Sequence, residues 1–320
     1  MTLGKVAEQA GVAPDTARRA LRNEPSVRPY IRERVMRAAE QLDYHPNLIA
    51  RALRDKNVNL TPISMYAFSQ YYFGMLAYSF ARKLVDIGME PALCYDSEHM
   101  LRVCKSFRAR GCLLAFGVPR ELAAELGRTC KLVTLNANDP EFSAGNVVVD
   151  LRGAYRRLAR RLLETGRRRV AFVSGEYTRG RRMGWPHEKF PVVLGTLKKE
   201  GLAPAGGDVF ESAEAFGAWL AGGRKKVDAV LCEEDLTAAK VAGEIARMGL
   251  RTPEDALVVG CDANLMLPGT WSVKLDTEVI AGMAVDLLRR ALDREGAAGS
   301  VVYKPELVEG PVVKSEEGNA

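Results

Sequence analysis

Apolar residues recur every three or four positions in three short stretches at the start of the chain. The first stretch, from Leu3 to Ala10, has the i, i+3, i+4, i+7 spacing of a helix with one apolar face. The same spacing predicts a second helix from Asp15 to Leu21 and a third from about Pro29 to Leu42. Gly11 suits the left-handed backbone that ends a helix, and Pro14 suits the first position of the next. The pattern therefore predicts a three-helix domain with a tight turn after its first helix.

The second predicted helix carries arginines on the side away from its apolar stripe. Ala17, Ala20 and Leu21 share one side, whereas Arg18 and Arg19 lie on the remainder. Two short helices joined by a glycine turn, the second of them basic, have the geometry of a helix-turn-helix, whose second helix enters the major groove of DNA. The alternative is a small three-helix bundle whose arginines serve only solubility.

From residue 61 onward, short apolar runs alternate with amphipathic helices. The runs rich in Val and Leu predict these strands: Pro62–Ala67, Pro91–Tyr95, Cys112–Phe116, Leu132–Leu135, Val147–Val149, Val170–Ser174, Ala229–Cys232, Leu257–Gly260 and Ser272–Leu275. Helices predicted between them include Phe73–Ile87, Gly153–Thr165, Leu236–Met248 and Val279–Asp293. Apolar runs followed by helices are typical of parallel sheets covered on both faces. Nine predicted strands fit two doubly wound α/β lobes better than they fit a single sheet.

The composition is that of an ordinary soluble protein. The chain has 320 residues, of which 47% are hydrophobic and 27% charged, and no apolar run reaches the roughly 18 residues of a membrane helix. Its start lacks the pattern of a secretory signal. The six cysteines form no C-x-x-C pair, so we expect reduced thiols rather than a disulfide or zinc framework. We expect a cytoplasmic protein with no membrane segment, metal or cofactor.

The positive charge is concentrated at the start of the chain. The whole chain carries +6, and residues 1–60 contain eleven Lys and Arg against seven Asp and Glu, a net +4. A basic end on a nearly neutral body suggests a polyanionic partner.

A short basic and apolar segment follows the third helix. Asn47 suits the cap of a helix of only about seven residues, a length that is marginal in water. Leu53 lies there beside Arg51 and Arg54, and an apolar side chain flanked by cations suits insertion into the minor groove. The alternative is a linker packed against the next domain.

Polar and aromatic residues follow the ends of several predicted strands, where doubly wound sheets bind their ligands. Tyr72, Phe73, Asp150, Glu234 and Asp262 occupy such positions. Carboxylates accept hydrogen bonds from hydroxyls and aromatic rings stack on C–H faces, which suits a sugar. Each carboxylate has an alternative role as the cap of the helix that follows.

Common catalytic motifs are missing from the sequence. It has no G-x-x-x-x-G-K-[ST], no H-E-x-x-H and no G-x-S-x-G. The three histidines are scattered, without a metal-like partner at helical spacing. We therefore expect a protein that is not an enzyme.

Two stretches of the head, GKVAEQAGVAPDTARRAL and SVRPYIRERVMRAAEQLDYHPNLIARALR, place a helix-turn-helix, a third helix and Y-x-P-N-x-x-A-R-x-L in one order. In this they resemble the LacI/GalR (lactose-repressor/galactose-repressor) family of bacterial transcription regulators. The resemblance implies a hinge helix from Asn47 to Arg54, with Leu53 inserted into the minor groove. It implies DNA contacts from Pro14, Asp15, Thr16, Arg18, Arg19, Arg22, Asn47, Arg51 and Leu53.

Several positions depart from the family pattern. Ala13 stands where a serine usually caps the recognition helix, Arg28 replaces the cap of the third helix, and Asp43 stands where a glycine often ends it. Arg18 replaces a serine and adds a cation that reaches phosphate or guanine. With Asp15 able to accept from cytosine, a half-site containing G·C pairs is expected.

The body contains VVVDLRGAYRRLARRLLETGRRRVAFVSG and VDAVLCEEDLTAAKVAGEIARMGLRTPEDALVVGCDA. These resemble the periplasmic-binding-protein-like (type I) effector domain of the same family. The resemblance implies one lobe from about 61–165 plus 278–298 and another from about 166–277 plus 299–313. It implies effector contacts from Tyr72, Phe73, Asp150, Glu234, Asp262 and either Lys189, which we favour, or Arg181.

The predicted organisation is a small all-α helix-turn-helix head at 1–45, a hinge at 46–60 and a two-lobed effector-binding and dimerisation domain at 61–320. The predicted function is a repressor that binds a pseudo-palindromic operator in double-stranded DNA as a homodimer. A small-molecule effector, expected to be a carbohydrate, modulates it in the bacterial cytoplasm at the nucleoid. The alternatives are an effector-independent DNA binder and a cytosolic ligand-binding protein that has lost operator reading. The sequence leaves open the identity of the effector and whether the effector releases DNA or promotes DNA binding. It also leaves open the operator sequence and whether the protein is a dimer or a tetramer.

Overall fold

A computed structural model describes residues 1–45, 59–65, 70–115, 118–136, 140–175, 186–202, 209–223, 227–293 and 299–310. For residues 186–190 it describes the backbone alone. The chain divides into two compact units, Met1–Val58 and Asn59–Ala320.

The described part of the first unit, residues 1–45, contains three helices in the positions that the sequence predicts. They are α1 (Leu3–Gln9), α2 (Pro14–Leu21) and α3 (Pro29–Gln41). Their fully buried core consists of alanines and valines, and larger apolar side chains such as Leu21, Ile31 and Leu42 pack around it half-buried. Gly11 has φ +60° after α1, and Val12 N–H donates to Ala7 O at 3.0 Å across that turn. The predicted left-handed glycine therefore closes the first helix.

In the described residues, the second unit contains two α/β lobes, and the strands of each lobe's sheet are parallel except for the last strand of the second. The strands are β1 (Leu60–Met65), β2 (Glu90–Cys94), β3 (Gly111–Ala115), β4 (Lys131–Leu135), β5 (Gly145–Val149), β6 (Val170–Val173), β7 (Val209–Phe210), β8 (Ala229–Cys232), β9 (Leu257–Asp262), β10 (Trp271–Lys274), β11 (Gly299–Tyr303) and β12 (Glu306–Glu309). The helices are α4 (Tyr71–Asp86), α5 (Ser97–Phe107), α6 (Arg120–Thr129), α7 (Leu151–Glu164), α8 (Pro186–Lys199), α9 (Ala213–Ala221), α10 (Asp235–Arg247) and α11 (Thr277–Asp293).

Each lobe is built on one six-stranded sheet. The first has the order β11-β5-β4-β3-β1-β2 and the second β12-β10-β9-β8-β6-β7. Alternate residues of a strand face opposite sides, as in β3, where Leu113 packs into one core cluster and Cys112 and Leu114 into another. The buried strands that continuous apolar runs predict are thereby confirmed, except for β2, where Leu93 is exposed.

The end of the chain corrects the predicted lobes. We assigned residues 299–313 to the second lobe, but β11 pairs in parallel with β5 of the first sheet. Only β12 belongs to the second sheet, pairing antiparallel with β10. The sequence pattern missed both strands because their residues are mostly exposed or half-exposed. The hydroxyl of Tyr303, the last residue of β11, donates to Lys274 O and accepts from Asp276 N–H, which fixes this crossing to the start of α11.

Candidate nucleic-acid interface and ligand cavity

The solvent-facing side of α2 carries the residues predicted to contact DNA. Pro14, Asp15 and Arg22 are exposed, and Thr16, Arg18 and Arg19 are half-buried. The opposite side is formed by Ala17 and Ala20, which are buried against the other two helices. The packing of this small core therefore turns the cationic side of the helix outward.

Both arginines at the centre of this face are held by carboxylates of the head itself. Arg18 Nη1 lies 2.6 Å from Asp15 Oδ1, and Arg19 Nε lies 3.1 Å from Glu24 Oε2. Arg19 also donates to the Ser26 hydroxyl. Exposed pairs of this kind contribute little stability. They orient the guanidinium groups at the surface of the helix.

The N-termini of α2 and α3 lack side-chain caps. Ala13 has extended backbone angles (φ −65°, ψ 147°) suited to an N-cap, yet no side chain accepts from the first turn of α2. Arg28 likewise gives α3 no side-chain cap. Asp15 in the first turn of α2 offsets part of this loss, because a carboxylate favours the positive end of the helix dipole.

Asp43 adopts the conformation of the glycine that it replaces. Its φ is +47°, and Tyr44 N–H donates to Ala39 O at 2.8 Å across the end of α3. Asp is among the residues that tolerate this left-handed region. The third helix therefore ends as the family pattern requires. Asn47, Arg51 and Leu53, the predicted hinge contacts, lie outside the described residues.

A cavity of about 380 Å³ lies at the carboxyl ends of β1, β8 and β9. The first lobe contributes the start of α4, and the second lobe contributes the start of α10 and the loop after β9. The lining residues are Gln70, Tyr71, Tyr72, Glu234, Asp235, Leu236, Asp262, Asn264 and Leu265. Three of the predicted effector contacts, Tyr72, Glu234 and Asp262, are thus brought together from separate parts of the chain.

Asp235 organises one wall of this cavity, a role that the sequence analysis missed. Its side chain accepts from Asn264 N–H at 2.7 Å, Leu265 N–H at 3.1 Å and the Ser272 hydroxyl at 2.7 Å. It is 4% exposed. One buried carboxylate thus ties the start of α10 to the loop after β9. The available signal was an acidic residue in the first turn of a helix that follows a buried strand.

Asp262 lies in a strained backbone conformation beside the cavity. Its φ is +102° and that of Ala263 is +54°, a region that L-residues rarely adopt. Ala263 N–H donates to the Ser272 hydroxyl at 2.9 Å, so the Asp235–Ser272 pair holds this turn as well. Strain of about 1–3 kcal/mol persists only where surrounding contacts enforce it, and it is concentrated at functional sites.

The other predicted effector residues lie elsewhere. Phe73 is 4% exposed and packs edge-on against Tyr72 in the core, with ring centroids 5.2 Å apart. Asp150 caps α7, accepting from Gly153 N–H at 2.8 Å, which is the capping alternative. Lys189 falls in the first part of α8, at 186–190, for which only the backbone is described. Arg181 lies outside the described residues.

Glu234 differs from Asp150 in how its carboxylate is used. It occupies the N-cap position of α10 but makes no side-chain cap hydrogen bond. Its Oε1 accepts from the Thr237 hydroxyl at 3.3 Å, and the residue lines the cavity. This carboxylate therefore lines the ligand space and also contacts the first turn of its own helix, through the Thr237 side chain rather than through a backbone cap.

Comparison with known families matches both parts of the chain. Residues 2–47 match the family described as bacterial regulatory proteins, lacI family, and residues 159–311 match a periplasmic binding protein-like domain. The chain belongs to the LacI family of bacterial regulatory proteins. The predicted fold class, a helix-turn-helix head followed by a type I periplasmic-binding-protein-like domain, is confirmed.

Curated relatives of this LacI-family chain are similar over almost their whole length. Catabolite control protein A of Priestia megaterium is 25% identical, with 97% of this chain and 98% of the relative covered. The transcriptional regulator CelR of Thermobifida fusca is 26% identical, with 92% and 91% covered. The repressor PurR of Vibrio parahaemolyticus is 24% identical, with 96% and 97% covered. The family consists of transcription regulators, so the expectation of a non-enzyme is confirmed.

Solved structures have the same fold. A lac repressor dimer bound to operator and the anti-inducer ONPF superimposes with a TM-score of 0.75 at 19% identity, covering 97% of this chain and 98% of that one. A CelR–cellobiose complex superimposes with a TM-score of 0.63 at 23% identity, covering 96% and 98%. In the described part of the LacI-family chain, no helix is long and apolar enough to span a membrane.

Proposed function

We propose that this LacI-family regulator represses transcription by binding a pseudo-palindromic operator as a homodimer, and that a carbohydrate bound in the cavity of its second unit modulates this binding. The head at 1–45 reads DNA, the segment at 46–60 forms the hinge, and 61–320 binds the effector and dimerises. It acts in the cytoplasm at the nucleoid. The observation that carries the proposal is the outward-facing cationic side of α2.

The face of α2 matches the chemistry of a major groove. Arg18 and Arg19 present planar guanidinium groups, which pair with the N7 and O6 atoms of guanine, and Asp15 accepts from the N4 amine of cytosine. Arg22 extends the face by one turn toward the phosphates. A half-site that contains G·C pairs follows from these three side-chain types.

An exposed apolar surface on the first lobe supports the homodimer. Leu93 in β2 and Tyr95 just beyond it are 58% and 66% exposed, and Tyr78 and Val85 of α4 are 60% and 58% exposed. β2 forms an edge of its sheet, and α4 packs against it. Apolar side chains grouped at a sheet edge mark an interaction site. A two-fold axis there would pair two heads with two half-sites.

The cavity supports a polyhydroxylated effector. Tyr71 and Tyr72 offer aromatic faces for sugar C–H groups, and the carboxylates of Glu234 and Asp262 accept from hydroxyls. Because the cavity draws residues from both lobes, an effector there would bind one relative position of the lobes better than another. That difference is the coupling between effector and operator, typically about 1–3 kcal/mol.

The experiment that tests operator reading is selection of the full-length protein against random duplex DNA, followed by sequencing. We expect a palindrome, with Arg19→Ala lowering affinity about tenfold or more and relaxing one base position, since a bidentate guanine contact contributes about 1–3 kcal/mol. Arg251→Ala, an exposed arginine of the second unit, is the matched control and should leave the selected sequence unchanged. Binding without sequence preference would contradict the proposal and favour a ligand-binding protein that has lost operator reading.

The effector is tested on the selected operator. A sugar of the right class should raise the thermal unfolding temperature of the protein and change its operator affinity. Asp262→Ala should abolish that response while leaving operator affinity without sugar unchanged. If a panel of mono- and disaccharides and their amino derivatives neither stabilises the protein nor changes its affinity, the effector-independent alternative is correct.

A further inference from the structure

Three cysteine sulfurs meet in the first lobe, among residues that do not line the cavity. Cys104 lies on α5, Cys112 on β3 and Cys130 between α6 and β4. The Cys130 Sγ lies 3.4 Å from the Cys112 Sγ and 3.8 Å from the Cys104 Sγ, and all three sulfurs lie within 4.8 Å of one another. Residues from separate elements thus converge on one point.

The spacing of the sulfurs matches that of ligands around a single ion. Metal–thiolate bonds of about 2.3 Å at tetrahedral angles place neighbouring sulfurs about 3.8 Å apart. The observed 3.4 Å and 3.8 Å separations are close to this value, so the site requires little movement to close around an ion.

The surroundings of the sulfurs are apolar. Cys104 and Cys112 are fully buried, and Cys130 is half-buried. The cluster packs with Met100, Leu126 and Leu132, and other apolar neighbours complete it. Such a site disfavours a complex that retains net charge. Of the three sulfur-bearing residues, Cys130 alone is partly exposed to solvent.

The three thiols already behave as one unit. Hydrogen bonds from the Cys104 and Cys112 thiols lower the pKa of the Cys130 thiol, and the hydrogen bonds of Cys112 to Cys104 and Cys130, together with burial, raise the pKa of Cys112.

We propose that Cys104, Cys112 and Cys130 form a three-sulfur site for a soft, thiophilic ion, and that trivalent arsenic is the occupant whose chemistry suits it. Three thiolates leave a zinc ion with one negative charge and, among the residues that the structure describes, without a fourth His, Cys, Asp or Glu ligand. They leave a monovalent copper ion with two negative charges. Trivalent arsenic with three thiolates is neutral and needs no fourth ligand, which an apolar site accommodates.

The reaction balances without an oxidant or reductant. Arsenous acid, As(OH)₃, exchanges its three As–O bonds for As–S bonds to the three cysteines. The three thiol protons leave with the three hydroxyl groups as three waters, and where a cysteine is already ionised, the hydroxide that it displaces takes a proton from solvent. Arsenic stays trivalent and sulfur stays at the thiol level throughout.

The test is titration of the full-length protein, reduced with a phosphine, with sodium arsenite under native mass spectrometry. We expect one adduct whose mass rises by one arsenic less three hydrogens, together with thiolate-to-arsenic absorption in the ultraviolet. Cys130→Ser should lose the absorption and this adduct. Cys232→Ala, a buried cysteine of the other lobe, should retain both and is the matched control.

Three results would overturn the proposal. The first is no adduct with the wild-type protein. The second is an adduct heavier by one water, which marks a two-sulfur complex. The third is loss of binding in Cys232→Ala with retention in Cys130→Ser. Circular dichroism of Cys130→Ser is the check that this variant is folded. Cys104→Ala removes a different sulfur ligand and should also lose the adduct.

Discussion

At the scale of single residues, the cavity depends on two neighbouring acids with different roles. The carboxylate of Asp235 is buried and holds the loop after β9. Glu234, one position earlier, lines the cavity without capping its helix. The sequence predicts Glu234 as a ligand contact. The role of Asp235 depends on Asn264 and Ser272, which lie far along the chain, so no local pattern reveals it.

The strain at Asp262 predicts a gain in stability from glycine. Asp262→Gly relieves about 1–3 kcal/mol of strain and costs about 0.5–1 kcal/mol of backbone entropy. We expect the free energy of unfolding, measured in urea, to rise by about 1 kcal/mol. Asp262→Ala retains the strained backbone and is the control. A loss of stability in the glycine variant would show that the side-chain interactions of Asp262 stabilise the protein by more than its backbone strain destabilises it.

Asp228 predicts a pH dependence in the second lobe. Burial raises the pKa of Asp228, but hydrogen bonds from the Arg169 guanidinium and from the N–H groups of Arg169 and Arg168 outweigh it and lower this pKa from 3.8 to about 2. A carboxyl whose pKa is lowered by folding contributes stability above its unfolded pKa, and that contribution is lost as the pH falls through the folded value.

We therefore expect Asp228→Asn to be less stable than wild type by about 1 kcal/mol at pH 6. The difference between the two urea midpoints should shrink as the pH falls from 3.8 toward 2. Asp286→Asn, on the exposed side of α11, should differ little from wild type at any pH. A difference that stays constant down to the lowest pH at which the protein folds would contradict the assignment.

At the scale of elements, the helices of the head were predictable because their signals are local. Gly11 and Pro14 mark one turn, and apolar spacing within a few residues marks each helix face. α2 begins at Pro14 and α3 at Pro29, as expected. β11 and β12 escaped prediction because an edge strand with exposed residues carries no long apolar run.

The uncapped start of α2 predicts a stabilising substitution. Ala13→Ser supplies an oxygen for the free N–H groups of Asp15 and Thr16, which should stabilise the helix by about 1 kcal/mol. Hydrogen exchange of these two amides should slow by about fivefold. Ala13→Val, which adds a side chain without an acceptor and is as poor an N-cap as alanine, should give only a small change. Equal exchange in all three proteins would mean that water caps this helix as well as serine does.

At the scale of the whole molecule, the two edges of the first sheet differ in their proposed role. Leu93 lies on β2 at one edge and Val302 on β11 at the other, and they are 58% and 52% exposed. They therefore form a matched pair for testing which edge meets a second copy.

We expect Leu93→Asp to sediment as a monomer at micromolar concentration and to bind operator weakly, because a charge in an apolar interface opposes association. Val302→Asp should remain dimeric, since its edge lies outside the proposed interface. Analytical ultracentrifugation compares the two. A dimer in the first variant and a monomer in the second would transfer the interface to the β11 edge.

The sequence by itself determined the helices of the head, the buried strands and the family, because each rests on residues that are neighbours along the chain. It also identified Tyr72, Glu234 and Asp262 as ligand-facing candidates, since they follow strand ends. Only the tertiary structure decided that Asp150 serves as a cap and that β11 completes the first sheet. These outcomes depend on contacts between distant residues, and neither periodicity nor motif spacing carries information about such contacts.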